Sequence, residues 1–185
     1  MFDDLSNVIA TAAAAASWQA DLQRGDIVCA RFPVSEGDGG PCKLRPCVVM
    51  ETGEIDGGKT AVIAYGTTSK GKANAGYELR LRRPEVLEAL GLHAPTRFVC
   101  SRRLVASLDN AMFEAPKGRA TPVLGRLASE ELERLNALRA RIQAEADIAA
   151  ERRAERRKRR RTISVRGREV IVETRRGKRL AGEVR

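Results

Sequence analysis

The stretch Leu44-Arg45-Pro46-Cys47-Val48-Val49-Met50 decides how this chain is read. Cys47 to Met50 is an apolar, β-prone run, and Pro46 stands at its start, where a proline is tolerated because the strand only begins there. N-terminal to it, Ile27-Val28-Cys29-Ala30-Arg31-Phe32 is another short run, ended by Pro33, and Gly37, Gly39, Gly40 and Pro41 make the loop between the two. C-terminal to it, Gly53, Gly57 and Gly58 mark a turn, and Thr60-Ala61-Val62-Ile63-Ala64-Tyr65 follows as a third run. Tyr77-Glu78-Leu79-Arg80-Leu81 alternates as a half-buried fourth strand. Pro84 to Leu90 reads as one or two helical turns closed by Gly91, and Arg97-Phe98-Val99-Cys100 and Leu104-Val105-Ala106 add two further short strands. Short strands at this spacing predict a small barrel or sandwich rather than a βαβ sheet.

Helices flank this block. Residues 3–23 read as a helix with Asp3 or Asp4 as cap and Leu5, Val8, Ile9, Ala12 and Ala16 at helical spacing, broken by Gly25-Asp26. After the strands, Ser129 is expected to cap a helix with Glu130 and Glu131 in its first turn. Its stripe Leu132, Leu135, Leu138 and Ile142 reads as core packing. The helix is expected to run on through Ala144 to Arg161, its apolar face ending at Glu151. Thr162-Ile163-Ser164-Val165 and Glu169-Val170-Ile171-Val172-Glu173, around Arg166-Gly167-Arg168, resemble a hairpin. Two strands alone are marginal in water, so that hairpin has to dock, pair with another chain or stay disordered. The expected organisation is a helical extension over residues 1–23, a barrel over 24–143 and a basic extension over 144–185.

The chain has 185 residues, 43% hydrophobic and 31% charged, enough apolar material for one core, which excludes wholesale disorder. Its formal charge of +10 is uneven: residues 144–185 hold 15 basic and 7 acidic side chains, whereas residues 1–143 hold 19 and 17. The excess belongs to the tail and points to an anionic partner for the tail. No apolar run reaches the 18 or so residues that span a bilayer, so no membrane association is expected. The alanine run Ala12–Ala16 follows Asp3 and Asp4 instead of a positive segment, so no secretory signal is expected either. Cys29, Cys42, Cys47 and Cys100 form no CxxC pair and His93 is the only histidine; the reading is reduced thiols in a cytosolic protein, with no metal and no cofactor.

Three segments arrive in order: Gly25-Asp26-Ile27-Val28 opening the first strand, Leu44-Arg45-Pro46-Cys47-Val48-Val49 opening the second, and Tyr65-Gly66-Thr67-Thr68-Ser69-Lys70-Gly71 closing the third. With the glycine-rich loop between the first two, this order resembles the MazF/PemK family of toxins from bacterial toxin–antitoxin systems. Ser107-Leu108-Asp109 leading through Gly125-Arg126-Leu127 to the helix Ser129–Ile142 is similar to that family's closing segment. The resemblance covers residues 24–143.

The resemblance implies a mainly β fold with α: a small SH3-like barrel of the MazF/PemK/CcdB type with a C-terminal helix, usually a homodimer. It implies a metal-independent endoribonuclease that cuts single-stranded RNA to 2′,3′-cyclic phosphate and 5′-hydroxyl ends, paired with an acidic antitoxin. The family's functional arginine falls on Arg45 and its functional hydroxyl on Thr67, with Thr68 the nearest rival. Thr68, Ser69, Lys70 and Lys43 are the expected substrate contacts. In-line attack by a ribose 2′-hydroxyl builds negative charge on the phosphorane oxygens, and a guanidinium fork offers them two donors at any working pH. The threonine hydroxyl adds another donor or relays a proton. No general base with a pKa near 7 accompanies them, since His93 lies outside the three motifs and reads as structural or merely exposed. Arg45 and Thr67-Thr68-Ser69 also admit plain readings, as a solvated strand-edge cation and a polar turn.

The chain departs from the family at Val99-Cys100-Ser101-Arg102-Arg103, where an acidic-polar motif is usual, and carries an insertion around Pro84–Pro95. In the tail, Arg152, Arg153, Arg156, Arg157, Lys158, Arg159, Arg160 and Arg161 form a cluster able to neutralise phosphates of RNA or DNA, or to dock an acidic antitoxin. Without aromatic residues among them, binding there would be blind to sequence. A solvated helix extension is the plain alternative. The competing function is a non-catalytic barrel that binds nucleic acid or a protein partner. A gyrase-poisoning barrel of the CcdB type is weaker, because that activity does not use the arginine–threonine pair.

Overall fold

The computed structural model describes residues 18–33, 42–71 and 74–166, with side chains as far as Lys158. β1 (Asp26–Arg31), β2 (Leu44–Ile55) and β3 (Gly58–Thr67) carry unbroken apolar runs because the sheet is buried on both faces there. β4 (Glu78–Leu81), α1 (Pro84–Ala89), β5 (Thr96–Ser107), β6 (Val123–Arg126) and α2 (Ser129–Arg166) complete the described chain. The six strands form one antiparallel sheet in the order β4-β5-β3-β2-β1-β6, a mainly β, barrel-like fold with a C-terminal helix, as the sequence predicts.

Successive residues feed two cores. Ile27, Val48, Met50, Ala64 and Phe98 belong to one, closed over by Leu87, Leu90 and Leu135. Val28, Cys47, Val49, Ile63 and Tyr65 belong to the other, covered by Trp18, Leu22, Phe32 and Leu108. The motif Gly25-Asp26 now has a physical reason. The buried Asp26 carboxylate accepts the Gln23 backbone N–H at 2.7 Å and Arg126 Nε at 2.6 Å, tying the approach to β1 onto β6. Gly25 is stitched on both sides, its N–H to the Val49 carbonyl and its own carbonyl to the Leu127 N–H, each at 2.9 Å.

Several expectations are corrected. Pro46 lies inside β2, paired with Cys29. The Cys29 N–H bonds to the Pro122 carbonyl at 2.8 Å, away from β2, so this pairing needs no donor from residue 46 and a proline fits. The hairpin turn is Asp56-Gly57, both at positive φ, while Gly53 and Gly58 belong to the strands. The two short strands expected at 97–100 and 104–106 are one strand, β5, with a bend. Its register steps from Ala64↔Arg103 to Gly66↔Phe98, leaving Val99–Arg102 opposite Tyr65 alone, and beyond the bend β5 also pairs with β4. β6, which had no strand signal of its own, is recruited by pairing with β1. Ser129 is the first helical residue and does not cap the helix; the Ala128 carbonyl accepts the Leu132 N–H. Thr162–Val165 continue α2 and form no strand. Trp18–Asp21 are helical, whereas residues 3–17 and Glu169–Glu173 lie outside the described residues.

The chain divides into two compact units, one ending at Gln143 and one beginning at Ala144. In the first, Leu132, Leu135, Leu138 and Ile142 of α2 pack on the core beside α1. In the second, every residue from Ala144 to Lys158 is exposed.

Candidate active site at the end of β3

The pairing of β2 with β3 runs Val49↔Ile63, Val48↔Ala64, Cys47↔Tyr65. Continued by two residues, the same register sets Arg45 opposite Thr67, and directly opposed residues of an antiparallel pair share one face. Arg45 is half-buried and also pairs with Ala30 of β1; Thr67 is the last residue of β3. Between them stands Gly66. A Cβ at this glycine would lie 2.9 Å from the Pro46 carbonyl oxygen, and as close to the Phe98 ring and to Thr96 Cγ2. Only a residue without a side chain lets these backbones approach so closely.

The loop after β3 is held from two sides. Thr67 Oγ1 accepts the Ser69 N–H at 3.2 Å, which fixes the first turn of the loop. Arg97 Nε donates to the Ser69 carbonyl at 2.5 Å, and the same guanidinium pairs with Glu78. Arg97 and Arg80 are cross-strand partners on β5 and β4, an arrangement that would repel. Glu78, its side chain only 1% exposed, resolves it with one carboxylate oxygen for each: Oε1 toward Arg97, Oε2 to Arg80 Nε at 2.9 Å. One buried carboxylate therefore anchors Arg97, and Arg97 anchors the loop carrying Thr67.

A cavity of about 420 Å³ opens beside this loop. Thr67, Thr68, Ser69 and Lys70 line one wall, and Arg80, Arg82 and Arg97 another. Arg80 and Arg97 share the single negative charge of Glu78, while Lys70 and Arg82 are exposed and make no ion pair among the described residues. Among the described residues no carboxylate or imidazole lines the cavity. Arg45 and Lys43 lie outside its wall: Arg45 on the neighbouring strand across from Thr67, Lys43 exposed just before β2. His93 is exposed on the connection from α1 to β5. The structure thus gathers Thr67, Thr68, Ser69 and Lys70 with Arg80, Arg82 and Arg97 around the cavity, pairs Glu78 with Arg80 and Arg97, and leaves Arg45 on β2, outside the cavity wall. Glu78, Arg80, Arg82 and Arg97 carry no local signal; their roles arise from the pairing of β4 with β5.

Two of the cysteines, Cys47 and Cys100, are buried in the cores. Burial pushes the Cys47 thiol far up and the Cys100 thiol to about 11, so both stay protonated at neutral pH. Among the described residues no group of three or more His, Cys, Asp and Glu is placed to hold a metal ion, and no helix is long and apolar enough to cross a membrane. Arg152, Arg153, Arg156, Arg157 and Lys158 are exposed on α2; Arg159, Arg160 and Arg161 continue its helical backbone, their side chains outside the described residues.

A small antiparallel sheet closed by a C-terminal helix, with Arg45 near the start of β2 and Thr67 at the end of β3, is the frame of this site. Residues 23–142 match the family of PemK-like, MazF-like toxins of type II toxin–antitoxin systems, and the chain belongs to that family. No curated protein matches the chain. Membership implies an antitoxin partner and an RNA substrate, and the match ends before the basic run.

Proposed function

We propose that this chain is a metal-independent endoribonuclease toxin that cuts single-stranded RNA through its own ribose 2′-hydroxyl. The observation that supports the reading is the β2–β3 register, which pairs Cys47 with Tyr65 and, continued by two residues, would bring Arg45 across from Thr67. The 2′-hydroxyl gives up its proton to solvent as its oxygen attacks phosphorus, the bond to the 5′-oxygen breaks, and that oxygen takes up a proton from solvent, leaving a 2′,3′-cyclic phosphate and a 5′-hydroxyl. Arg45 supplies two parallel donors to the phosphorane oxygens, and the Thr67 hydroxyl supplies another. The Glu78–Arg97–Ser69 chain keeps Thr67 in place before substrate arrives, which is where a site without a general base gains its rate. Thr68, Ser69, Lys70 and Lys43 serve as substrate contacts, Lys70 through its uncompensated charge. In the same reading the chain is a cytoplasmic homodimer silenced by a small acidic antitoxin.

The test is incubation of the purified protein with long single-stranded RNA in EDTA. Discrete fragments ending in cyclic phosphate are expected, and Arg45→Ala and Thr67→Val each lower the rate by roughly 100–1,000-fold, the usual effect of removing one preorganised donor. RNA that is bound but stays intact with the wild-type protein would instead make the chain a non-catalytic nucleic-acid-binding barrel.

A further inference from the structure

The basic run beyond the family match has a definite form: an uninterrupted helix whose charges are sorted into rows. At 3.6 residues per turn, Arg152, Arg153, Arg156 and Arg157 occupy about 140° of the circumference, and Asp147, Glu151 and Glu155 lie on the opposite side, with Lys158 among them. Glu145 is the acid on the basic side among the described residues, about two turns before Arg152. On the basic side the i, i+4 neighbours are alike, Arg152 with Arg156 and Arg153 with Arg157, as are Glu151 and Glu155, whereas Glu155 has Arg159 at i+4 and Arg152 and Lys158 three residues away on either side. Like charges at that spacing destabilise a helix, so the two arginine pairs repel along the basic face. None of the four arginines makes an ion pair among the described residues, and all four are exposed. Arg153 Nε donates only to the Ala149 carbonyl one turn earlier, at 3.0 Å. The helix macrodipole does not account for them, because its influence is confined to the last turn and α2 runs on to Arg166.

We propose that this face of α2 is a binding site for the phosphate backbone of single-stranded RNA, separate from the cleavage chemistry. Each basic row repeats about every 6 Å along the axis and offers guanidinium forks, which match phosphate oxygens two donors at a time. A polyanion laid along the rows removes the repulsion between like neighbours, so order and binding support one another. No aromatic residue lies in the helix, so bases are not stacked and the site accepts any sequence. The choice of RNA as the strand rests on the function proposed above; the demand for a regular polyanion rests on the helix alone.

The experiment uses the full chain and a labelled, 2′-O-methylated single-stranded RNA, which lacks the attacking hydroxyl and stays intact. Affinity is followed by fluorescence anisotropy from 50 to 200 mM salt for the wild type and for the combined variant R152Q/R153Q/R156Q/R157Q. Glutamine is a good helix former, and circular dichroism checks that the helix persists. With about 0.7 of a log–log salt slope per phosphate contact on single strands, the variant's slope is shallower by about 3, and the wild type loses about 50-fold more affinity over that range. A scrambled RNA behaves like the first. Equal slopes for the two proteins overturn the proposal, as does a stronger dependence on the four arginines for an acidic polypeptide or duplex DNA than for RNA. Failure of cleavage with ordinary RNA overturns the nuclease reading and leaves this measurement standing.

Discussion

Arginine does opposite work in the two units of this protein. In the first unit, Arg31, Arg80, Arg83, Arg97, Arg126 and Arg139 each pair with a carboxylate, and the side chains of three of those acids, Asp26, Glu78 and Glu131, are buried. In the second unit Arg152, Arg153, Arg156 and Arg157 are exposed and pair with no acid among the described residues. The first set is tied to acids of its own unit, and the second is exposed on a helix and tied to none among the described residues. The lesson is that bulk charge does not locate the candidate active site: the near-neutral unit holds Arg45 and Thr67, and the strongly basic one holds neither.

The contrast between a packed and an unpacked stretch of α2 gives the largest expected effect. Leu135 is fully buried in the core, so Leu135→Ala removes a packed side chain and lowers stability by about 2–5 kcal/mol, read as a drop in the urea midpoint. An unchanged midpoint would mean that this part of α2 is as peripheral as the basic stretch. Next come the arginines themselves. Arg126→Ala leaves the Asp26 carboxylate buried with only the Gln23 N–H and costs about 1–3 kcal/mol, whereas Arg153→Gln stays within about 0.5 kcal/mol. Equal losses at the two positions would erase the division between paired and unpaired arginines.

The smallest effect is one of pH. Burial by itself pushes the Glu131 carboxyl up, but its hydrogen bond to Arg83 and the charges of Arg83 and Arg134 outweigh that, and the net shift is downward from the ordinary 4.5. The unfolded chain then binds the proton more readily, so this contribution is in place at neutral pH and is lost as the pH falls below about 4.5 through the folded value. Glu131→Gln flattens that acid limb of the midpoint-against-pH curve, and an unaltered limb would show that Arg83 contributes nothing through Glu131.

By itself the sequence determined the element types, because periodicity and turn chemistry are local. The apolar runs of β1 to β3, the alternation Glu78-Leu79-Arg80-Leu81, Pro84 at a helix start and the stripe Leu132–Ile142 all name their structures without a neighbour. It also singled out Arg45 and Thr67, although only through the order of three motifs. Tertiary structure decided what depends on which strand lies beside which. Pro46 sits inside a strand because Cys29 turns its N–H to Pro122, β6 becomes a strand only by pairing with β1, and β5 is one bent strand because it serves β3 and β4 in turn. The Glu78–Arg97–Ser69 anchor follows the same rule, since a buried carboxylate takes whichever cations the register brings to it, and register is a property of two strands together.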